Sequence, residues 1–341
     1  MKKIRVAQIG IGHDHAVDTI KSLRRLEQYY DIAGFAAPAV EVEKYGERLA
    51  AFAGIPEMTL EQILADDSIE AVCIETEEVS LTDVALACAQ AGKHIQMDKP
   101  GGLDPDAYEE MLRIMKQKGL VFHTGYMYRY NREVMRVMDM VKTGGFGEIF
   151  SVETHMDCRH VPEKRQWLET FPGGMMFFLG CHLVDLIYGI LGMPEEIIPM
   201  NCSTGIDGVT AEDYGFAVFK YKNGISFAKT CAEEMGGFAR RQLVVTGEKC
   251  SVELKPLEMY APGSSDLYTG VTDYTESAWA NMGVSRNSEP QDRYDAMITA
   301  FAEMVRGERE NPWSYEYELQ LYRIVLAACG VDIDYKKEIK L

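Results

Sequence analysis

The sequence contains no Cys-x-x-Cys pair. Its eight cysteines, Cys73, Cys88, Cys158, Cys181, Cys202, Cys231, Cys250 and Cys329, are scattered among mostly apolar neighbours. That usage excludes a disulfide framework and is expected of reduced thiols in a cytoplasmic protein. Positive charge is not in excess either. The 35 Lys and Arg stand against 53 Asp and Glu, a formal net charge of −18, which repels nucleic-acid phosphates and anionic lipid, so neither is expected as a partner. Unbroken apolar runs of membrane length are missing: the longest candidate, 175–192, carries His182 and Asp185 inside it and is expected to be a buried helix with functional polar residues. The basic start, Lys2, Lys3 and Arg5, leads into an apolar run broken at Gln8 and ending in Gly-His-Asp-His, which does not fit a signal peptide. Internal repeats and low-complexity tracts are also absent.

What is present is a chain of 341 residues with 47% hydrophobic content, enough for two packed domains. Over 3–126 short β-rich runs (IRVAQIG, IAGFAA, AVCIET, HIQMDK, VFHTGY) alternate with helical patterns beginning near His15, Glu41, Thr59, Ser80 and Pro105. Such alternation specifies right-handed βαβ crossovers and a parallel sheet covered on both faces. After Tyr126 the pattern changes to one helix, Asn131 to Lys142, and then strand-rich segments from Glu148 to about Leu257, with KNG and TGEK as hairpin turns. The 261–290 stretch, rich in Gly, Ser, Asn and Asp, is expected to be a long loop or lid, and Tyr315 to Cys329 a last amphipathic helix. The expected class is α/β: an N-terminal doubly wound domain of Rossmann type (1–125) plus a C-terminal α+β domain (126–341) with a mostly antiparallel open sheet.

Gly10-Ile11-Gly12 follows the first strand and opens a helix. There the first glycine makes the tight turn, the second admits backbone close to a pyrophosphate, and the helix N-terminus favours the anion. The third glycine position holds His15, followed by the small Ala16. His13, Asp14 and His15 read either as a polar helix cap or as donors beside the pyrophosphate, and a metal site built from these three is not expected. The usual acid at the end of the second strand is missing, since Ala36-Ala37-Pro38 stands there, with Glu41 or Glu43 as substitutes. No Arg or Lys stands at that point for an extra phosphate, so NAD is preferred and NADP stays open.

Further motifs fall in order: AGKHIQMDKPGG (91–102), GYMYRYN (125–131), TGGFGEI (143–149), PGGMMFFLGCHLVDL (172–186), AEDY (211–214) and YKNGISF (221–227). With the GxG loop they resemble the glucose-fructose oxidoreductase / inositol dehydrogenase / MocA family from about residue 3 to residue 330. The resemblance implies that Asp98-Lys99-Pro100 matches the family's Glu-Lys-Pro, with the lysine beside the nicotinamide and the bond before Pro100 often cis. A lysine at the C-terminal edge of a parallel sheet also sits where such folds bind ligands. His182 matches the family's catalytic histidine, and Asp185 a further acidic position that could orient the imidazole or cap local backbone. The family's Asp four residues before the histidine is Phe178 here, and its TPNxxH segment aligns with Thr76-Glu77-Glu78-Val79-Ser80-Leu81.

The expected site is then Lys99, His182 and Asp185 for catalysis, and Gly10, Gly12, His13, His15, Thr76, Asp98, Lys99 and Pro100 for the cofactor. Tyr128, Arg129, His155, Arg159, His160, Arg165 and Trp167 supply donors and an apolar wall for a sugar-like substrate. The expected activity is NAD(P)-dependent hydride transfer to or from a secondary alcohol of a sugar, inositol or sugar derivative. Two alternatives stay open: a redox-neutral glycoside-cleaving reaction on the same cofactor, and a catalytically impaired NAD-binding sensor or partner protein. The resemblance also implies a homodimer or homotetramer joined through the second domain's sheet.

Overall fold

A computed structural model describes residues 2–341, and the chain divides into two compact units. The first comprises residues 2–127, 294–322 and 336–341, and the second 128–293 and 323–335. The expected division at 125/126 therefore needs a correction, because the chain returns to the first unit. Helix Asp295–Val305 belongs there: Asp295 accepts from Ser22 and Arg25, and Tyr30 Oη donates to the carbonyl of Ile298 at 2.6 Å. An amphipathic face near the C-terminus carries no label saying which sheet it will cover.

In the first unit β1 (Ile4–Ile9), α1 (Ala16–Arg25), β2 (Tyr30–Ala36), α2 (Ala39–Tyr45), α3 (Leu60–Ala65), β3 (Ala71–Ile74), α4 (Leu81–Gln90), β4 (His94–Met97), α5 (Pro105–Lys118) and β5 (Phe122–Thr124) follow one another. The five strands form a parallel sheet in the order β2-β1-β3-β4-β5. Val6, Ala7, Ile9 and all of β3 are buried, as a sheet covered on both faces requires. α5 shows why its sequence is helical. Asp104 caps the N–H groups of Asp106 and Ala107, Pro105 occupies the first turn, Gly119 ends the helix at φ 65°, and Tyr108, Met111, Leu112 and Met115 make one buried stripe. Because β2 and β3 lie on opposite sides of β1, the strand order reverses there. The loops leaving β1, β3 and β4 open at the switch point where doubly wound sheets take ligands.

The second unit contains α6 (Arg132–Lys142), β6 (Ile149–His155), α7 (Pro162–Trp167), α8 (Cys181–Leu191), β7 (Glu196–Pro199), β8 (Tyr214–Tyr221), β9 (Gly224–Cys231), β10 (Gln242–Gly247), β11 (Ser251–Leu254), β12 (Met259–Tyr260), β13 (Leu267–Tyr268), β14 (Gly270–Tyr274) and β15 (Val284–Asn287). Eight strands form one sheet, β15-β14-β11-β10-β6-β9-β8-β7, in which β6 and β9 run parallel and the other neighbours antiparallel. The 261–290 stretch is not one loop. β14 and β15 extend the sheet from inside it, although their short, polar sequences lack a clear period. The apolar stretch begins as a π-helical turn, Met176–Gly180, and continues as α8, packed against β6 and β9. Among the described residues no helix is long and apolar enough to cross a membrane.

Candidate functional site

The glycine turn is dictated by close approach. Gly10 has φ 94°, and a Cβ there would lie 2.4 Å from Thr76 N. At Gly12 it would lie 2.7 Å from the Glu41 carboxylate and from Glu77 N, so only glycine fits either position. The turn's free N–H groups already have an anion: Ile11 N and Gly12 N donate to Glu41 Oε2 at 2.7 and 2.8 Å, and Glu77 N donates to Oε1 at 2.9 Å. Burial raises the Glu41 carboxyl above its ordinary range, opposed by these three bonds. Arg48 holds the other side of the turn. Its Nη1 donates to the carbonyls of Ile11, Gly12 and His13 at 2.9, 2.8 and 2.8 Å, and its Nη2 to Asp14 at 3.0 Å.

Behind the turn lies a buried polar cluster. His15 Nδ1 is 2.9 Å and His13 Nδ1 3.2 Å from the same Asp98 Oδ2, while Lys99 N donates to Asp98 Oδ1 at 2.7 Å. Burial opposes ionisation of Asp98, but His13 and His15 outweigh it and hold the carboxyl well below the usual carboxylate range. Glu75 goes the other way, raised by burial and by the charge of Asp98, and burial lowers His13. Lys99 is itself buried and enters the cis bond to Pro100. Thr76 Oγ1, buried beside Gly10, has no hydrogen-bond partner among the described residues.

In the second unit His182 lies buried on α8, its ring 5.1 Å from that of Tyr128 in an edge-on arrangement. Asp185, one turn on, accepts a bidentate bond from buried Arg129, whose Nε is 3.0 Å from both carboxylate oxygens. The Tyr128 hydroxyl donates to Glu258, which also receives Arg241 and Arg293. Arg165 is fully buried against Asp213, Glu233 and Asp207. Tyr128, Arg129 and Arg165 are thus committed to internal carboxylates. His155 ends β6 beside Phe227, and burial pushes its imidazole down to about 4. Arg159 is exposed and paired with Glu233. Trp167 packs edge-on against Phe171 and Phe178 with Lys164 Nζ 3.7 Å over its ring, and the His160 ring is 6.4 Å from Phe178. Phe178 is therefore the centre of an aromatic wall.

A family model described as an oxidoreductase family with an NAD-binding Rossmann fold matches residues 4–126, and one described as the GFO/IDH/MocA C-terminal domain matches residues 134–253. The chain belongs to the Gfo/Idh/MocA oxidoreductase family. Among its relatives are a scyllo-inositol 2-dehydrogenase (NADP(+)) of Bacillus subtilis, 27% identical over 40% of this chain and 39% of that one, and a D-xylose 1-dehydrogenase (NADP(+)) of Haloferax volcanii, 24% identical over 79% and 81%. The chain spans about half the length of several curated relatives it matches. The solved aldose-aldose oxidoreductase of Caulobacter crescentus shares the fold with a TM-score of 0.75 over 96% of this chain and 98% of that one, at 18% identity.

The first unit accordingly carries the family's NAD-binding Rossmann fold, and its residues fit the cofactor on two observations: the Gly10 and Gly12 cradle that a Cβ would fill, and the orphaned Thr76 hydroxyl beside it. Glu41 is the departure, because its carboxylate uses donors that a pyrophosphate would take. The Glu41 alternative noted from the sequence thus reaches the glycine turn itself. Arg48 carries no signal in the sequence, being one arginine in an amphipathic segment. Glu78 was visible only as a departure from the family's TPNxxH, and Glu75, just before that segment, gave no signal.

Proposed function

We propose that this chain is an NAD(P)-dependent oxidoreductase acting on a secondary alcohol of a sugar, inositol or sugar derivative. The observation that carries this reading is Lys99, buried at the C-terminal edge of β4 behind a glycine turn in a chain of this family. Gly10, Gly12 and Thr76 would hold the dinucleotide, and the bound nicotinamide supplies the hydride carrier. Lys99 Nζ holds and moves the hydroxyl proton; Asp98, by accepting the Lys99 backbone N–H, fixes where that side chain starts. His182 is the second proton-transfer group on the family resemblance, and Asp185, clamped by Arg129, positions its helix. His155, Arg159, His160 and Trp167 are the substrate contacts of this reading. The substrate class is supported by the inositol, xylose and aldose named in the relatives.

The test is a panel of sugars, polyols and glycosides with NAD and NADP, followed by absorbance of the reduced cofactor and by product analysis. Turnover of at least one polyhydroxy substrate is expected. Cofactor binding with neither redox nor redox-neutral conversion across the panel overturns the reading in favour of a sensor, a second reading that Glu41 on the cofactor's donors favours. The same proposal includes a homodimer or homotetramer. Its support is the sheet face opposite α8, where half-buried Phe216 and Phe227 stack 5.5 Å apart, and light scattering tests it.

A further inference from the structure

We propose that His13, His15, Asp98 and Glu75 form a binding site for one divalent transition-metal cation, such as zinc. The four residues come from three loops at the carboxyl ends of β1, β3 and β4, and all four side chains are at most 12% exposed. A tetrahedral zinc with bonds of about 2.0–2.1 Å places its ligand atoms about 3.3 Å apart. The cluster approaches that spacing: His15 Nδ1 to Asp98 Oδ2 is 2.9 Å, His13 Nδ1 to Asp98 Oδ2 3.2 Å, and His13 Nδ1 to Glu75 Oε2 3.7 Å. The two histidines and Asp98 each offer an atom within 4.8 Å of the others; Glu75 lies outside that trio, 3.7 Å from His13 Nδ1, and becomes the fourth ligand by turning Oε2 inward.

The orientation of these groups is the second, independent observation. Each carboxylate has one oxygen anchored and the other turned to the cluster. Thr19 Oγ1 donates to Glu75 Oε1 at 2.8 Å, which leaves Oε2 buried, facing His13 and with no hydrogen-bond partner among the described residues. Lys99 N does the same for Asp98 Oδ1, leaving Oδ2 between the imidazoles. His13 Nδ1 accepts the His15 N–H at 3.2 Å, a bond it exchanges for the cation on binding, and its Nε2 lies 3.5 Å from Glu78 Oε1. An outer carboxylate behind a histidine is the arrangement that fixes tautomer and basicity in metal sites. Three buried carboxyl groups, Glu75, Glu78 and Asp98, lie around His13 with Lys99 beside them.

At the glycine turn the sequence offers His13, Asp14 and His15, from which no metal site is expected. Asp14 turns away to Arg48, and two further ligands arrive from β3 and β4. With four protein ligands the site is closed, so the cation acts structurally by cross-linking the three loops.

The full chain, dialysed against a chelator, is titrated with ZnCl2 by calorimetry and with CoCl2 by visible absorption, neither of which needs a substrate. One equivalent of zinc and the d–d bands of tetrahedral cobalt are expected. Zinc affinity should fall at least tenfold in Glu75→Gln, an isosteric change that keeps the fold, and in His15→Ala, and about 10- to 100-fold in the outer-shell Glu78→Gln. Circular dichroism checks each variant. The proposal is overturned if the wild type takes up no stoichiometric zinc, or if binding is undiminished in Glu75→Gln.

Discussion

Glu41→Ala separates two roles that the glycine turn gives one carboxylate. In the wild type Glu41 accepts three buried backbone N–H groups, from Ile11, Gly12 and Glu77, at 2.7–2.9 Å. Truncation leaves them without an acceptor, and an unsatisfied buried donor costs about 1–3 kcal/mol. With water entering the space left by the carboxylate, a net loss of about 3–5 kcal/mol is expected for the unliganded protein. Glu41→Gln retains an acceptor oxygen for Ile11 and Gly12 but turns an amide toward Glu77 N, so its loss should be smaller, about 1–2 kcal/mol. A pyrophosphate offers the same donors an anion, so NAD should stabilise Glu41→Ala more than it stabilises the wild type. The assays are denaturant unfolding with and without NAD, and NAD affinity by calorimetry. Tighter NAD binding by Glu41→Ala is the expected outcome. Weaker binding refutes the argument, for it would mean that Glu41 holds the cofactor, as an acid contacting ribose hydroxyls does.

Lys99→Met and His182→Ala should each lower turnover on a verified substrate by about two to four orders of magnitude while NAD affinity changes little, read from kcat and calorimetry. Asp185→Asn breaks a buried bidentate pair with Arg129, so unfolding should come about 10 °C earlier, with partial recovery when Arg129→Met is added; an unchanged Tm would show that the pair is not structural. Burial raises the Asp157 carboxyl to about 6, opposed by Lys229. Since this lies above the unfolded value, its contribution to stability is present below about pH 4 and lost as pH rises through about 6. Asp157→Asn should therefore flatten the pH dependence of Tm across that window, followed by circular dichroism.

The sequence by itself determined the parallel sheet and the glycine turn. All five strands of the first unit stand where short β-rich runs alternate with helical stripes, because a strand buried on both faces and a helix buried on one each write their period into neighbouring residues. The places of Gly10, Gly12 and Lys99 in the fold were legible for the same reason: each sits at a fixed offset from a strand end. The tertiary structure alone decided which groups share a space. Glu41 is some thirty residues from the turn it caps, Arg48 lies in a segment with no motif, and His13, Glu75 and Asp98 meet only because β1, β3 and β4 are neighbours in the sheet. Arg129 and Arg165 were expected as substrate donors, and only the fold shows that each is paired with a buried carboxylate, Asp185 and Asp213. β14 and β15 needed the edge beyond β11 to pair with, since a short polar strand is stabilised by its neighbour's backbone groups and carries little pattern of its own. Local periodicity fixes elements. Pairings between residues far apart in the chain depend on packing, which sequence spacing does not encode.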